Sequence, residues 1–351
     1  MPFTAAEISE AGKIGLDYYI KKKKPTDQVA VERPWLRALM RRKMTFPGAK
    51  QNVVEQLRYR YQNNFQWFNG RKVVTYNVRN TVEQANFPWR GCHDGFSLDE
   101  DRLEQNGIKV TDDSVARHTR SEEIRLTDLL NENIDVLRLG WEEQFDQYLL
   151  RDGTGSTDDI VGLDALVSLT PTSGVVGGID RSVAANSWWR NWAATGLTTS
   201  TTTGTILNQM EIYFRNCTRN GGKPNFIMAG SDFIDGYRNY LMKTYGTMNW
   251  EAGNTISLDG GAKMLAFKGV PMIWNPVFSD LDTLLSPGTP FEKRCYFINL
   301  NFMRLRPIEG QDMISRKPPR PYDRYEHYWG LTWRGALTMN RANCHAVLAI
   351  S

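Results

Sequence analysis

The chain has 351 residues, of which 41% are hydrophobic, 11% aromatic and 23% charged, with a net charge of +4. That balance describes a globular protein long enough for about two to three domain-sized units and excludes disordered and fibrous classes. No apolar run approaches the ~20 residues that span a bilayer, and the N-terminal charge follows its apolar part, the reverse of a secretory signal, so folding in the cytosol without a membrane partner is expected.

Residues 1–45 read as an extended, weakly structured arm with one or two short helices, interrupted by Pro25 and Pro34. The arm and the residues after it carry a strong charge bias. Between residues 21 and 60 stand twelve Lys and Arg, among them Lys21, Lys22, Lys23, Lys24, Arg41, Arg42 and Lys43, against Asp27, Glu32 and Glu55. Such a run suggests a polyanion nearby, and equally a solvated tail. In "FQWFNGRKVVTYNV" two strand-like runs flank Asn69-Gly70, a dipeptide that readily takes the positive φ angles of a type I′ turn, so a β-hairpin with its tip there is predicted. Residues 80–117 read as loop-rich and polar. Residues 46–118 together form a long protruding hairpin with too few apolar residues to make a core.

The next segment is strongly periodic. Thr119 and Glu122 form a capping box. Leu126, Leu130, Ile134, Leu137, Trp141, Phe145 and Tyr148 then hold one face of a helix that ends at Asp152-Gly153. At 1.5 Å per residue the rod is roughly 45 Å long and needs a surface against its stripe. "DGTGSTDDIVGLDALV" follows a helix and lacks the Lys-Ser/Thr of a phosphate loop, so it reads as a turn. A helix is predicted over about 206–217, a buried strand over 226–229, and a helix from an N-cap at Ser231 to about Tyr245. "KMLAFKGVPMIWNP" and "RCYFINLNFMRLRP" supply further strands, separated by a Pro/Gly loop, so 153–310 reads as an α/β unit. Near the end, Trp329, Leu331, Trp333, Leu337 and Met339 occupy alternate positions, as do Cys344, Ala346, Leu348 and Ile350 after a turn at 340–343. The expected product is a hairpin packed against the long helix, with the α/β unit inserted between the two.

Little in the chain suggests catalysis. The four histidines, His93, His118, His327 and His345, sit in unrelated contexts, and there is no H-E-x-x-H, G-x-S-x-G, Walker lysine or EF-hand loop. Cys92, Cys217, Cys295 and Cys344 form no C-x-x-C pair and read as small buried thiols. Cys92-His93 and Cys344-His345 would point to opposite faces of a strand and make poor chelates. No metal, cofactor or catalytic residue is expected. "GGIDRSVAANSWWRNW" places Trp188, Trp189 and Trp192 within five residues. They could stack nucleobases, but as structural anchors they would bury area and give each indole N–H to a backbone partner.

The order of parts, together with "LLRDGTGSTDDIVGLDALV", "GGIDRSVAANSWWRN", "KPNFIMAGSDFIDGYRNYL", "FKGVPMIWNP" and "CYFINLNFMRLRP" in sequence, resembles the major capsid protein of tailed bacteriophages, the Hong Kong 97-type shell fold. The resemblance implies an α+β fold. Its parts are an N-terminal arm (1–45), an extended β-hairpin loop (46–118), a peripheral domain of spine helix and antiparallel sheet (119–152 and 311–351), and an inserted α/β axial domain (153–310). It also implies hexamers and pentamers of the chain tiling an icosahedral head around double-stranded DNA, in a virion assembled in a bacterial cytoplasm. Portal and scaffolding proteins would be separate partners, with a decoration or cement protein possible. The hairpin tip at Asn69 and Gly70 would lie on a neighbouring subunit, Trp188, Trp189 and Trp192 would anchor the first helix of the axial domain, and the basic arm would face packaged DNA or an acidic scaffold. The rival readings are a nucleoid-type protein that binds DNA through its basic arm without forming a shell, and a hydrolase or glycan enzyme with an unrecognised site.

Overall fold

A short helix, α1 (Pro34–Met40), opens the described part of the chain with its proline in the first turn, where an absent N–H costs nothing. In the computed structural model residues 31–48, 51–105, 107, 120–200, 204–219, 221–245, 265–318 and 325–351 are described. Lys21–Lys24 and Thr119 lie outside them. Trp35, Leu36 and Leu39 of α1 are buried, and the Trp35 ring lies 6.1 Å from Phe226. Arg33 pairs with Glu143 at 3.6 Å. Past the helix, the Met44 and Phe46 N–H groups donate to Leu305 and Pro307 at 3.0 and 3.1 Å. Residues 33–46 belong to the arm in which one or two short helices were expected, and only the reading of Pro34 as an interruption is corrected. Proline starts a helix there, and three clustered apolar side chains dock it.

The chain then runs through β1 (Asn52–Arg58) and β2 (Val82–Pro88), paired antiparallel from Asn52↔Pro88 to Arg58↔Val82. Next come β3 (Arg90–Asp99), α2 (Glu100–Gln105) and the 31-residue α3 (Arg120–Leu150). The region expected to be loop-rich thus contains two strands. β3 has weak β-propensity, with two glycines and two aspartates, and forms because a long partner strand supplies its ladder. The turn between β1 and β2 also differs from expectation. Lys72 N–H donates to Asn69 C=O at 2.9 Å, so Gly70 and Arg71 are its central residues, and neither has positive φ. A two-residue turn with positive φ at both positions occurs instead at Lys268-Gly269 (φ 49° and 79°).

Beyond α3 lie α4 (Leu163–Leu166), the two-residue strands β4 (Val175–Val176) and β5 (Ile179–Asp180), a 3-10 turn (Ala184–Trp189), β6 (Trp192–Leu197), α5 (Ile206–Arg219), β7 (Phe226–Ala229) and α6 (Ser231–Tyr245). They are followed by β8 (Ala266–Phe267), β9 (Val270–Trp274), α7 (Val277–Leu285), β10 (Arg294–Ile298), β11 (Met303–Pro307), β12 (Ile314–Arg316), β13 (Glu326–Met339) and β14 (Ala346–Ile350). The expected Pro/Gly loop after β9 holds α7, whose Val277, Phe278 and Leu281 are buried. The Trp cluster sits on the 3-10 turn and the start of a strand, which corrects the expected helix.

Among the described residues the strands make two main sheets. One has the order β6-β14-β10-β7-β9-β8, and the other joins β3, β11 and β12 to β13. β13 pairs with β3 over ten residues, from Glu326↔Asp99 to Gly335↔Arg90. The expected C-terminal hairpin does not form, because β14 leaves β13 and inserts between β6 and β10. Its sequence explains the choice. Ala-Val-Leu-Ala-Ile has no polar face, and such a strand belongs inside a covered sheet.

α5 and α6 cover this sheet with one buried cluster that includes Ile206, Met210, Phe214, Phe233, Tyr237, Phe297 and Leu348. α3 lies on the other sheet. Trp141 stacks on Phe145 at 4.4 Å and Phe145 meets Trp333 at 4.7 Å, while Leu129 and Leu130 pack against Leu98 and Leu103. The predicted apolar stripe is therefore covered unevenly: Trp141 and Phe145 are buried, but Ile134 is exposed.

Asp146 is fully buried in α3. Burial pushes its carboxyl up to about 7, although the backbone N–H of Leu36 and the Arg33 guanidinium favour the anion. A carboxyl with a raised folded pKa contributes stability at low pH and loses it as pH rises toward that value. Between about pH 5 and about pH 8 the wild-type subunit should lose about 3 kcal/mol more than Asp146→Asn. Denaturant unfolding of both proteins at the two pH values measures this, and equal pH dependence would rule the assignment out.

Candidate functional site

The hairpin root is built from both sheets. Val53, Leu57, Ala85 and Phe87 are buried along β1 and β2. Glu55 of β1 pairs with Arg306 of β11 at 2.6 Å, both side chains being mostly buried. The Asn86 N–H donates to Gly177 C=O at 2.8 Å. At Gly177 φ is +60° and an added Cβ would sit 2.9 Å from that of Ala85, so a side chain is excluded there. The Tyr59 ring stacks on Trp188 at 5.3 Å. The appendage therefore leaves the body from a fixed base.

Beyond the root, residues 59–81 hold their two arms together mainly through side chains. Asn64 Nδ2 donates to Thr75 C=O at 2.5 Å, Gln66 Nε2 to Thr75 Oγ1 at 2.7 Å, and the Asn80 N–H to Gln62 Oε1 at 2.8 Å. No strand is assigned between Arg58 and Val82, so most backbone groups here lack a cross-strand partner. The apolar side chains are unburied: Trp67 is 83% exposed, Tyr76 92% and Val78 95%, and Tyr61, Phe65, Phe68 and Val73 are also exposed. Arg60, Arg71, Lys72 and Arg79 accompany them without any acidic residue in the segment. Asn69 and Gly70 are exposed at the tip.

A second exposed apolar patch lies on α3, at Val136 and Leu139, about 60° apart around the helix, while exposed Ile134 points about 140–160° away from both. Around it in sequence stand Glu132, Asp135, Glu142 and Glu143 with Arg138. The described part of the basic region is largely occupied. Arg42 Nη1 donates to Asn301 Oδ1 at 2.5 Å and Lys43 pairs with Asp312, while Arg41 is exposed at the end of α1.

The tryptophan motif is tied to groups outside it as well as to itself. Trp189 is buried and donates Nε1–H to Val176 C=O at 2.9 Å, and Trp192 donates to Asn343 C=O at 3.0 Å. Trp188 is half-buried against Tyr59. Arg181, buried, reaches Asn191 Oδ1 at 3.2 Å and Ala165 C=O at 3.0 Å. Asn191 Nδ2 reaches Ser168 C=O at 2.8 Å, and Arg190 Nε reaches Arg181 C=O at 2.7 Å. Sequence reasoning singled out the tryptophans and passed over Arg181 and Asn191. Their proximity to the cluster was the available signal, since polar side chains beside buried indoles must find backbone partners.

The strongly perturbed titratable groups lie in packing interfaces. Burial raises Asp164, opposed first by Arg294, whose Nη1 is 2.7 Å from Asp164 Oδ1. Burial also lowers His345 to about 3. Neither lines the open groove of about 870 Å³ on the β3–β13 sheet, whose walls include His93, Gly95, Arg316, Tyr328 and Trp329. Among the described residues no helix is long and apolar enough to cross a membrane.

No protein-family model matches the sequence, and no curated protein does. Solved structures match along nearly its whole length. The cyanophage A-1(L) capsid asymmetric unit is 15% identical with a TM-score of 0.61, over 94% of this chain and 95% of that one. The capsid of a native GTA particle is 12% identical with a TM-score of 0.55, over 100% of both chains. The holo-SrpI encapsulin complex from Synechococcus elongatus PCC 7942 is 12% identical with a TM-score of 0.52, over 96% of this chain and 94% of that one. At such identities the likeness is one of fold, a fold shared with these phage-capsid, GTA-capsid and encapsulin subunits.

Glu55→Ala would leave Arg306 half-desolvated without its partner and should cost about 2–4 kcal/mol. Replacing both residues, with Glu55→Leu and Arg306→Met, should recover most of that loss. Denaturant midpoints of the three variants decide. An unchanged midpoint in Glu55→Ala would show that the pair does not hold the root.

Proposed function

We propose that this chain is a major capsid protein that self-assembles, as hexamers and pentamers, into an icosahedral phage head enclosing double-stranded DNA. The observation that carries the proposal is the hairpin, an appendage clamped at its root whose large apolar side chains face solvent. Burying one such side chain contributes about 1.5–3 kcal/mol. A single chain leaves that contribution unused at eight positions from Tyr61 to Val78. The likeness of fold to capsid subunits and to an encapsulin shell, over nearly the full length, points the same way.

In this reading α3 with the β13 sheet forms the peripheral domain, and the six-stranded sheet with α5 and α6 forms the axial domain. The hairpin of one subunit lies on a neighbour. The exposed patch of α3 suits it, because apolar Val136 and Leu139 stand among acids while residues 59–81 of the hairpin carry four cations and no acid. Lys21–Lys24 face the packaged DNA or an acidic scaffold, and portal, scaffolding and cement proteins are separate partners. A purely arm-driven DNA-binding protein gains less support, since Arg42 and Lys43 are engaged on the body.

Negative-stain microscopy and light scattering of the expressed protein test the proposal. Shells, sheets or capsomer rings are expected, and a stable monomer at high concentration would refute it. Arg71→Glu with Lys72→Glu should leave the subunit folded, since both side chains are exposed, and should lower assembly yield by about tenfold, a loss of about 1.4 kcal/mol per contact. Undiminished assembly of that variant would rule out the charge-matched docking.

A further inference from the structure

The sequence contains three Asn-Gly steps, at Asn69-Gly70, Asn106-Gly107 and Asn220-Gly221. Asn-Gly can modify itself, because glycine leaves its own amide nitrogen free to approach the preceding side chain. The structure separates the three glycines. Gly107 N–H donates to Glu104 C=O at 2.8 Å and Gly221 N–H to Thr218 C=O at 2.9 Å, with φ of 75° and 77°. Gly70 N–H donates to no group among the described residues. No atom lies within 4 Å of where a Gly70 Cβ would be, and both Asn69 and Gly70 are exposed. Asn69 Oδ1 accepts the Arg71 N–H at 3.4 Å. That bond folds the Asn69 side chain back over the turn and polarises its carbonyl toward attack. Arg71 and Lys72, both exposed here, favour the deprotonated amide and the oxyanion by charge.

We propose that Asn69-Gly70 is a spontaneous deamidation site at the hairpin tip, discriminated from the other two Asn-Gly steps by its undonated amide. The Gly70 amide gives its proton to hydroxide. The nitrogen attacks Asn69 Cγ, a new N–Cγ bond forms, and the side-chain nitrogen leaves as ammonia. The resulting five-membered succinimide takes up one water. Opening at Cγ gives aspartate, and opening at the backbone carbonyl gives isoaspartate with the main chain rerouted through the side chain. The net change is asparagine plus water to an acid plus ammonia, with no oxidant or reductant. The tip gains its first negative charge, on a segment that has four cations and no acid. In the isoaspartyl form it also gains a longer backbone. The effect on shell formation rests on the capsid reading; the chemistry does not.

The test uses full-length protein kept unassembled at about pH 8, with peptide mapping of all three sites over time. Asn69 should convert at least about tenfold faster than Asn106 and Asn220, equivalent to about 1.4 kcal/mol of barrier. The rate should climb about tenfold per pH unit, because the reacting species is the deprotonated amide. Gly70→Ala places a methyl group in open space and should slow conversion while unfolding is unchanged. Conversion at Asn69 no faster than at Asn220, or unaffected by Gly70→Ala, would overturn the proposal. Asn69→Asp, made directly, should assemble less well than wild type if the tip meets an acidic surface. Failure of every sample to assemble would count against the capsid reading and leave the mapped rates standing.

Discussion

The aromatic seam between α3 and β13 sets the positions of the parts around it. Trp141, Phe145 and Trp333 meet with ring centroids 4.4 and 4.7 Å apart, and Trp333 is 1% exposed. β13 also carries the ladders of β3, β11 and β12. One well-packed contact therefore orients a strand to which three others are bonded. β3 follows directly from the hairpin root, separated from β2 by Trp89 alone. β11 grips the segment around Phe46 and pairs its Arg306 with Glu55. Packing density makes such a seam stiff, and that stiffness passes to the appendage.

The body and the hairpin handle their unsatisfied groups in opposite ways. In the body, polar side chains close on nearby carbonyls. Arg181, Asn191, Arg190 and the two indoles of Trp189 and Trp192 all find acceptors within the body. In residues 59–81, Asn64, Gln66 and Gln62 bridge the arms, while the rings of Tyr61, Phe65, Trp67 and Tyr76 remain in water. A fixed root with an unburied ribbon is pre-organised for a partner, because the ordering cost at the base is met before contact. That asymmetry argues for a function exercised between molecules, and it agrees with shell proteins being the structures this fold resembles.

The elements legible in the sequence were those whose stability is local. α3 followed from a stripe at steps of three and four, and β7 with α6 from a short apolar run and a serine at the helix start. The turn centres on Gly70 and Arg71, one residue beyond the expected Asn69-Gly70, and it is not type I′, because that turn is selected by a tight ladder and residues 59–81 have none. β3 was missed because Gly91, Asp94 and Gly95 lack strand propensity and the strand exists by courtesy of β13. What α1 packs on was not legible, because its three apolar residues carry no signal of their partner.

The sequence by itself determined where helices begin, which segments alternate, and that one stretch carries too little apolar content to be its own core. These follow from spacing, capping and turn chemistry within a few residues of each other. Only the tertiary structure decided that β14 joins the six-stranded sheet rather than β13, that Glu55 meets Arg306 across 251 positions of chain, and that Asp146 is buried beside Arg33. Such pairings depend on competition among distant surfaces for the same area, and no local pattern encodes which surface wins.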